Sequence, residues 1–227
     1  MSLGSYSDLK TAVANWVDRE DLTSRVPDFI ALAESRINKN LRIRQMERRS
    51  QMSTIANTEY YGLPPGWLRG RHVKLVKAYG QADTDLEYLT PESFDIVGMR
   101  RYGGGAGIPK YYTIIGNEFR LLPKPSAVYT VETIYYKKLD ALSDTQTSNE
   151  VLADFPDIYL YAAILEAAVF LKDAAAAKDY GQLFGNSITT AQSSDLEDRY
   201  SGGSLHVVGC AVVLIVRHLG RTDRNME

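Results

Sequence analysis

The sequence has very few of the residues from which most catalytic and metal sites are built. It contains one cysteine, Cys210, and three histidines, His72, His206 and His218, among 227 residues. A single cysteine excludes a disulfide within the chain and a zinc site made of cysteines. No histidine has a second histidine or a carboxylate at the spacing of a metal-binding motif, so we expect neither a metal nor another cofactor.

An excess of basic charge and a long apolar run are also missing. Lys and Arg number 26 against 28 Asp and Glu, which gives a formal net charge of -2. A dedicated nucleic-acid-binding protein usually carries a basic excess. No apolar run reaches the roughly 20 residues that span a bilayer, and the start lacks the pattern of a secretory signal. We therefore expect a protein without membrane contact that is made in a reducing cytoplasm.

The common motifs of catalysis do not occur either. The glycines of residues 103–107 fail as a phosphate-binding loop, because Lys110 follows a proline and precedes Tyr111 rather than Ser or Thr. No G-x-S-x-G sequence is present, and Cys210 lies among valines without an activating neighbour. We therefore predict that the protein is not an enzyme.

One strongly apolar helix is predicted over residues 154–173. Between residues 158 and 171 its only charge is Glu166, so nearly every face of this helix must be covered by other elements. Asp154 is expected to cap its N-terminus, with Pro156 in the first turn and Lys172 near the negative end of the helix dipole. We predict that this helix is the core element around which the others pack.

Strand signals fill the middle of the chain. Residues 111–115 and 118–122 flank the pair Gly116 and Asn117, which suits a two-residue hairpin turn. A third strand is predicted over residues 128–137, and a short helix capped by Thr90 precedes the hairpin.

The order of these signals predicts the fold class. We expect an α+β fold in which two N-terminal and two C-terminal helices form a mainly helical bundle with a β-rich insertion and an extended C-terminal tail. The expected divisions are a helical core of residues 1–50 and 151–203, an insertion with its connector at 51–150, and a tail at 204–227.

Charge is concentrated in two segments. The first, the basic run of residues 36–49, has one acidic residue, Glu47, and six basic ones, which are Arg36, Lys39, Arg42, Arg44, Arg48 and Arg49. The second, the acidic connector of residues 140–157, has five acidic residues and no basic one. The basic run suits a solvated helix face, a phosphate contact or an acidic protein surface, and the sequence leaves these alternatives open.

Seven stretches of the sequence resemble, in this order, the adaptor proteins that lie beneath the portal in the necks of short-tailed and related tailed bacteriophages. The stretches are YSDLKTAVANW (6–16), PDFIALAESRINKNLRIRQME (27–47), LTPESFD (89–95), GIPKYYTIIGNEFRLLPKP (107–125), YKKLDALSD (136–144), FPDIYLYAAILEAAVFLKD (155–173) and RYSGGSL (199–205). The resemblance implies a structural virion protein of the neck. It would form a twelve-membered ring that extends the DNA channel and offers a platform for the tail nozzle.

The implied partners are the portal protein, a tail nozzle or other tail protein, further copies of the chain, and genomic DNA that passes through the lumen without specific binding. A ring needs one face of each subunit to meet a different face of the next. The basic run is therefore expected to meet the acidic connector of a neighbour. The candidates at this contact are Arg36, Lys39, Arg42, Arg44, Arg48 and Arg49 on one side, and Asp140, Asp144 and Glu150 on the other. The alternative is a nucleic-acid-binding module that uses residues 36–49.

The chain continues beyond the segment at which members of that family usually end. Residues 207–216 are rich in β-branched side chains and uncharged, and four basic residues follow within residues 217–224. We expect this tail to dock on the portal, and the alternative is that it folds back on the β insertion of its own chain. The portal-docking candidates are Val207, Val208, Val212, Val213, Leu214, Ile215, Val216, Arg217 and Arg221.

Overall fold

The computed structural model describes residues 3–76 and 82–200, and helices occupy both ends of this described part. Within these residues there are six α-helices, and the fold is α+β. They are α1 (Tyr6–Val17), α2 (Val26–Asn40), α3 (Pro91–Val97), α4 (Glu150–Asp154), α5 (Pro156–Phe170) and α6 (Ala174–Tyr200). Short 3-10 helices at Glu20–Arg25 and Arg44–Met46 flank α2, and a π-helical turn at Gly98–Tyr102 extends α3.

Helix α5 is the core element, as its composition predicts. It packs against α1, α2, α4 and α6, and nine of its fifteen residues are buried. Its single charge inside the apolar stretch is neutralised, because Arg36 of α2 donates a hydrogen bond of 2.6 Å from Nε to Oε1 of Glu166. These five helices are called the helical core below.

The predicted cap of the core helix was wrong. Asp154 is the last residue of α4, and Asn149 caps α4 by accepting a hydrogen bond of 3.0 Å from the backbone N–H of Leu152. The chain leaves helical geometry at Phe155, because the residue before a proline is driven out of the α region. Pro156 therefore divides the segment into a short helix and a long one.

Ten strands form the rest of the fold. They are β1 (Glu47–Ser53), β2 (Tyr60–Gly62), β3 (Trp67–Val76), β4 (Thr84–Asp85), β5 (Glu87–Tyr88), β6 (Ala106–Gly107), β7 (Tyr111–Ile115), β8 (Glu118–Leu122), β9 (Lys124–Pro125) and β10 (Thr130–Lys137). One four-stranded sheet has the order β1-β10-β3-β4 and another has β2-β8-β7-β5, while β6 and β9 pair separately. The predicted hairpin is confirmed as β7 and β8, with Gly116 at a φ of 61° in its turn.

The two four-stranded sheets enclose a second apolar core. Val73, Leu75 and Val131 from one sheet pack in the same cluster as Phe119 and Leu121 from the other. Trp67 also joins them, since its ring stacks on Tyr135 at 4.9 Å and meets Phe119 edge-on at 5.1 Å. We refer to this unit as the sandwich.

The return from the sandwich to the helical core is held by buried polar side chains. Glu34 of α2 accepts a hydrogen bond of 2.7 Å from the backbone N–H of Leu142, and Asn38 accepts one of 2.9 Å from that of Leu139. Asn149 donates to the hydroxyl of the buried Tyr159 at 2.7 Å. The acidic connector is therefore anchored to α2 and α5 while Asp140, Asp144 and Glu150 face solvent.

Glu34 gives the fold a specific pH dependence. Burial raises the pKa of its carboxyl, although the Leu142 N–H opposes that shift. The native chain therefore binds this proton more tightly than the unfolded chain does. The stabilisation is complete below about pH 4, near the ordinary pKa of glutamate, and is lost as the pH rises through the raised native value.

We predict that Glu34→Gln removes this pH dependence. The free energy of unfolding of the variant, relative to wild type, should increase between about pH 4 and pH 7, because only the wild-type chain must ionise a buried carboxyl. Urea unfolding at a series of pH values measures this difference. Asp28→Asn, at an exposed position of the same helix, is the control, and parallel curves for wild type and Glu34→Gln would contradict the assignment.

Candidate functional site

Most of the basic run is paired with carboxylates of the same chain. Arg36 pairs with Glu166 and Arg49 with Glu132, each at 2.6 Å, and Arg44 lies 3.7 Å from Asp198. Arg48 pairs with Glu150 of the acidic connector. The basic run and the acidic connector therefore meet within one subunit at Arg48 and Glu150.

Two members of the basic run have no carboxylate partner among residues 3–76 and 82–200. Lys39 is exposed on the last turn of α2, and Arg42 donates to the backbone carbonyl of Asn38 at 2.7 Å. Burial lowers the pKa of the Arg42 guanidinium, and the charge of Arg69 lowers it further. Lys39 and Arg42 are thus the part of the run whose charge remains available to another molecule.

Acidic residues of the connector also form ion pairs with basic residues of the same chain. Asp140 accepts from Lys137 at 2.8 Å, and Asp144 accepts from Lys10 at 2.8 Å. Asp144 keeps 85% of its side chain exposed, so solvent screens this pair and it contributes little to stability. Asp140, Asp144 and Glu150 all remain at the surface, where a second molecule can reach them.

The outward crossing from the helical core to the sandwich has a largely buried ion network. Arg199 of α6 donates at 2.6 Å to Glu47, the first residue of β1, and at 2.8 Å to Asp195. Asp195 also accepts from the backbone N–H of Arg44 at 3.0 Å, and Glu47 accepts from Arg71 of β3. Burial alone would lower the pKa of Arg199, but its hydrogen bonds to the two carboxylates raise it overall.

A cleft lies on the sandwich beside α3. It has a volume of about 410 Å³, and its lining includes Phe94, Met99 and Leu122 together with Gly103 and Arg120. The guanidinium of Arg120 is 4.8 Å from the Phe94 ring and is paired with Asp95 at 2.6 Å and with Glu59. Because this cation is already neutralised, the cleft suits an apolar side chain better than a phosphate.

Exposed apolar side chains also occur on the helical core, at the C-terminal end of α5 and on α1. Val169, Phe170 and Leu171 close the C-terminal end of α5, and Phe170 is 56% exposed while its ring contacts Phe29 at 5.5 Å. Trp16 of α1 is 49% exposed and lies within 6.5 Å of the rings of Tyr161 and Tyr180. An exposed apolar patch of this kind is typical of a surface that binds another protein.

Sequence reasoning missed the cleft and this apolar end. Residues 103–107 were tested only as a phosphate-binding loop, whereas Gly103 and Gly104 adopt φ values of 53° and 81° and line the cleft. The apolar end had a detectable signal, because three large apolar residues, Val169 to Leu171, occur together at a helix terminus.

Other candidates give no site. His72 is hydrogen-bonded to Asp85 at 2.8 Å, and the described part of the chain contains no group of three or more His, Cys, Asp or Glu residues that could hold a metal ion. Across the same residues, no helix is sufficiently long and apolar to cross a membrane. His206, Cys210, His218 and all nine portal-docking candidates lie outside the described residues.

Comparison with known proteins gives the class to which this arrangement belongs. The α+β fold and its exposed apolar surfaces accompany a match to a family of phage head-tail adaptors. The matching family is described as SU10 adaptor protein, and the match covers residues 5–207. The chain therefore belongs to the SU10 adaptor protein family. A search of curated proteins finds no match.

The family defines a structural phage protein, and this agrees with the resemblance seen in the sequence. The match ends at residue 207, so residues 208–227 extend beyond the pattern that the family shares.

We predict that Arg199→Ala destabilises the chain by about 2 to 3 kcal/mol, because Glu47 and Asp195 lose their shared charged donor while largely buried. Both partners keep little exposure, at 14% for Glu47 and 7% for Asp195. Urea unfolding measures the loss. Arg19→Ala, which removes an exposed pair with Asp21, should cost much less because solvent screens that pair, and equal effects of the two substitutions would contradict the proposed role of the network.

Proposed function

We propose that the protein is a head-to-tail adaptor that assembles as a twelve-membered ring under the portal, extends the DNA channel and provides the attachment platform for the tail or nozzle. The match to the SU10 adaptor protein family over residues 5–207 carries this proposal. In this role the protein is a component of the virion neck, made in the host cytoplasm. Its partners are the portal, a tail protein and further copies of itself.

Two separate apolar surfaces support a protein that joins two partners. The apolar end at Phe170 lies at the N-terminal end of α2, because Phe170 contacts Phe29. The chain enters the sandwich after the C-terminal end of the same helix, where Arg44 and Glu47 begin the insertion. The fifteen residues of α2 span about 22 Å. This separation allows one surface to meet the portal and the other a tail protein.

The contact between neighbouring subunits is proposed to use charges that remain accessible at the surface. Lys39 and Arg42 are the members of the basic run without a carboxylate partner in the described chain, and Asp144 of the connector keeps 85% of its side chain exposed although it pairs with Lys10. A heterologous contact between these residues repeats around a ring. Exposed pairs contribute only about 0.2 to 1 kcal/mol each, so they would set the register while apolar side chains supply affinity.

The alternative function, nucleic-acid binding through residues 36–49, is less well supported. Four of the six basic residues already have carboxylate partners, which reduces the charge that could displace counterions from DNA. A channel protein should also show only weak, salt-sensitive affinity for duplex and no base-specific contacts. Sequence-specific binding at physiological salt would therefore support the alternative and contradict the adaptor proposal.

We expect the purified chain to be a monomer alone and to join a large complex only when portal protein is present. Size-exclusion chromatography with light scattering, with and without portal, measures both states. Lys39→Glu should weaken assembly up to about fivefold for each contact at low salt and leave thermal stability unchanged, because it breaks no ion pair within the described chain.

Lys178→Glu is the matched control, since Lys178 is an exposed lysine on the first turns of α6, away from the basic run. Unchanged assembly of Lys39→Glu at low salt would remove the charge contact but leave the adaptor role intact. Failure of the wild-type chain to bind portal under any salt condition would contradict the adaptor role itself.

A further inference from the structure

Strand β1 has a long and regular open edge. Its seven residues pair with β10 in one unbroken register, from Glu47 opposite Tyr136 to Ser53 opposite Thr130. Its other side has no main-chain partner among residues 3–76 and 82–200. About half of the backbone N–H and C=O groups of an edge strand point away from the sheet, so β1 presents a template for one more strand.

The opposite side of the same sheet differs in a way that singles out β1. There the pairing of β3 with β10 shifts in register after Ile134 and again after Tyr136 of β10. The outer edge of β3 is partly covered by β4, a strand of two residues. Bulges and short edge strands are devices that prevent the addition of a further strand. Within the described sheet, β1 lacks both devices.

The described chain ends close to the start of β1. Arg199, one residue before the end of α6, donates at 2.6 Å to Glu47 at the start of β1. Asp195 and Arg44 reinforce the same contact at 3.0 Å. The remaining 27 residues, 201–227, therefore start next to the strand that lacks a neighbour.

The composition of those residues fits the edge. Residues 207–216 contain six valines or isoleucines and no charge, which is the composition favoured in strands. The six residues 201–206 include two glycines and span at most about 20 Å when extended. That distance is roughly the length of a seven-residue strand, so the run can reach any part of β1.

We propose that residues 207–216 of each chain add to the sheet as an extra strand along the open edge of β1 in the same subunit. The strand would gain main-chain hydrogen bonds to β1, and its apolar side chains would extend the cluster that Met52 of β1 joins. This segment thereby covers an edge that would otherwise invite pairing with another molecule.

Hydrogen–deuterium exchange on the full-length chain tests the proposal. Among residues 48–53, we expect the amides that face away from β10 to exchange about tenfold or more faster in the double variant Val212→Pro/Val213→Pro than in wild type. Adjacent residues of a strand direct their N–H groups to opposite sides, so one of the two prolines must remove a donor that faces β1. Exchange in β7 and β8 should stay unchanged.

The matched control is Thr222→Pro/Asp223→Pro, which places the same two prolines beyond the apolar run and should exchange like wild type. Equal exchange of residues 48–53 in wild type and Val212→Pro/Val213→Pro would overturn the proposal. Protection of β1 that disappears on dilution would also overturn it, because the added strand would then come from a second molecule. Neither outcome changes whether the chain binds portal protein, so failure of this proposal can be told apart from failure of the adaptor role.

Discussion

Burial of α5 on nearly all sides is the constraint on which the rest of the structure depends. A helix with one charge between residues 158 and 171 needs cover from several directions, and α1, α2, α4 and α6 provide it. These elements come from both ends of the described chain, so the core closes only after residues 41–149 have left and returned. The insertion must therefore begin and end at the same side of the helical core.

Both crossings satisfy this requirement with polar side chains of low exposure. The outward crossing is fixed by Glu47, Arg199 and Asp195, and the return by Glu34, Asn38 and Asn149. Removing one partner of such a network leaves another polar group buried without compensation, which costs more than the intact bond contributes. The sandwich is thus joined to the helical core by contacts that tolerate little rearrangement, as suits a protein proposed to hold two partners in fixed positions.

The sequence predicted those features that depend on neighbouring residues. The apolar helix, the hairpin at Gly116 and Asn117, and the cap at Thr90 all follow from local patterns, and the structure contains each of them. The cap at Asp154 failed because Pro156 acts on the residue before it and breaks the helix there.

Partners that lie far apart in the chain could not be predicted in the same way. Arg36 and Glu166 are separated by 130 residues, and Arg48 and Glu150 by 102. The sequence shows where the charges are, but only the closed fold decides whether a charge finds its partner in the same chain. The cleft beside α3 could not be predicted for the same reason, since its lining residues between Glu59 and Lys124 come together only after the strands have paired.

The central claim is that the helical core and the sandwich form one cooperative unit through the two crossings. The Trp16→Phe chain tests it directly, because Trp67 in the sandwich is then the only tryptophan. In urea, Trp67 fluorescence reports the sandwich and far-ultraviolet circular dichroism reports mainly the helices. Our account predicts that both signals change with the same midpoint and slope. A fluorescence transition that clearly precedes the loss of helix would show that the sandwich unfolds independently and would contradict the account.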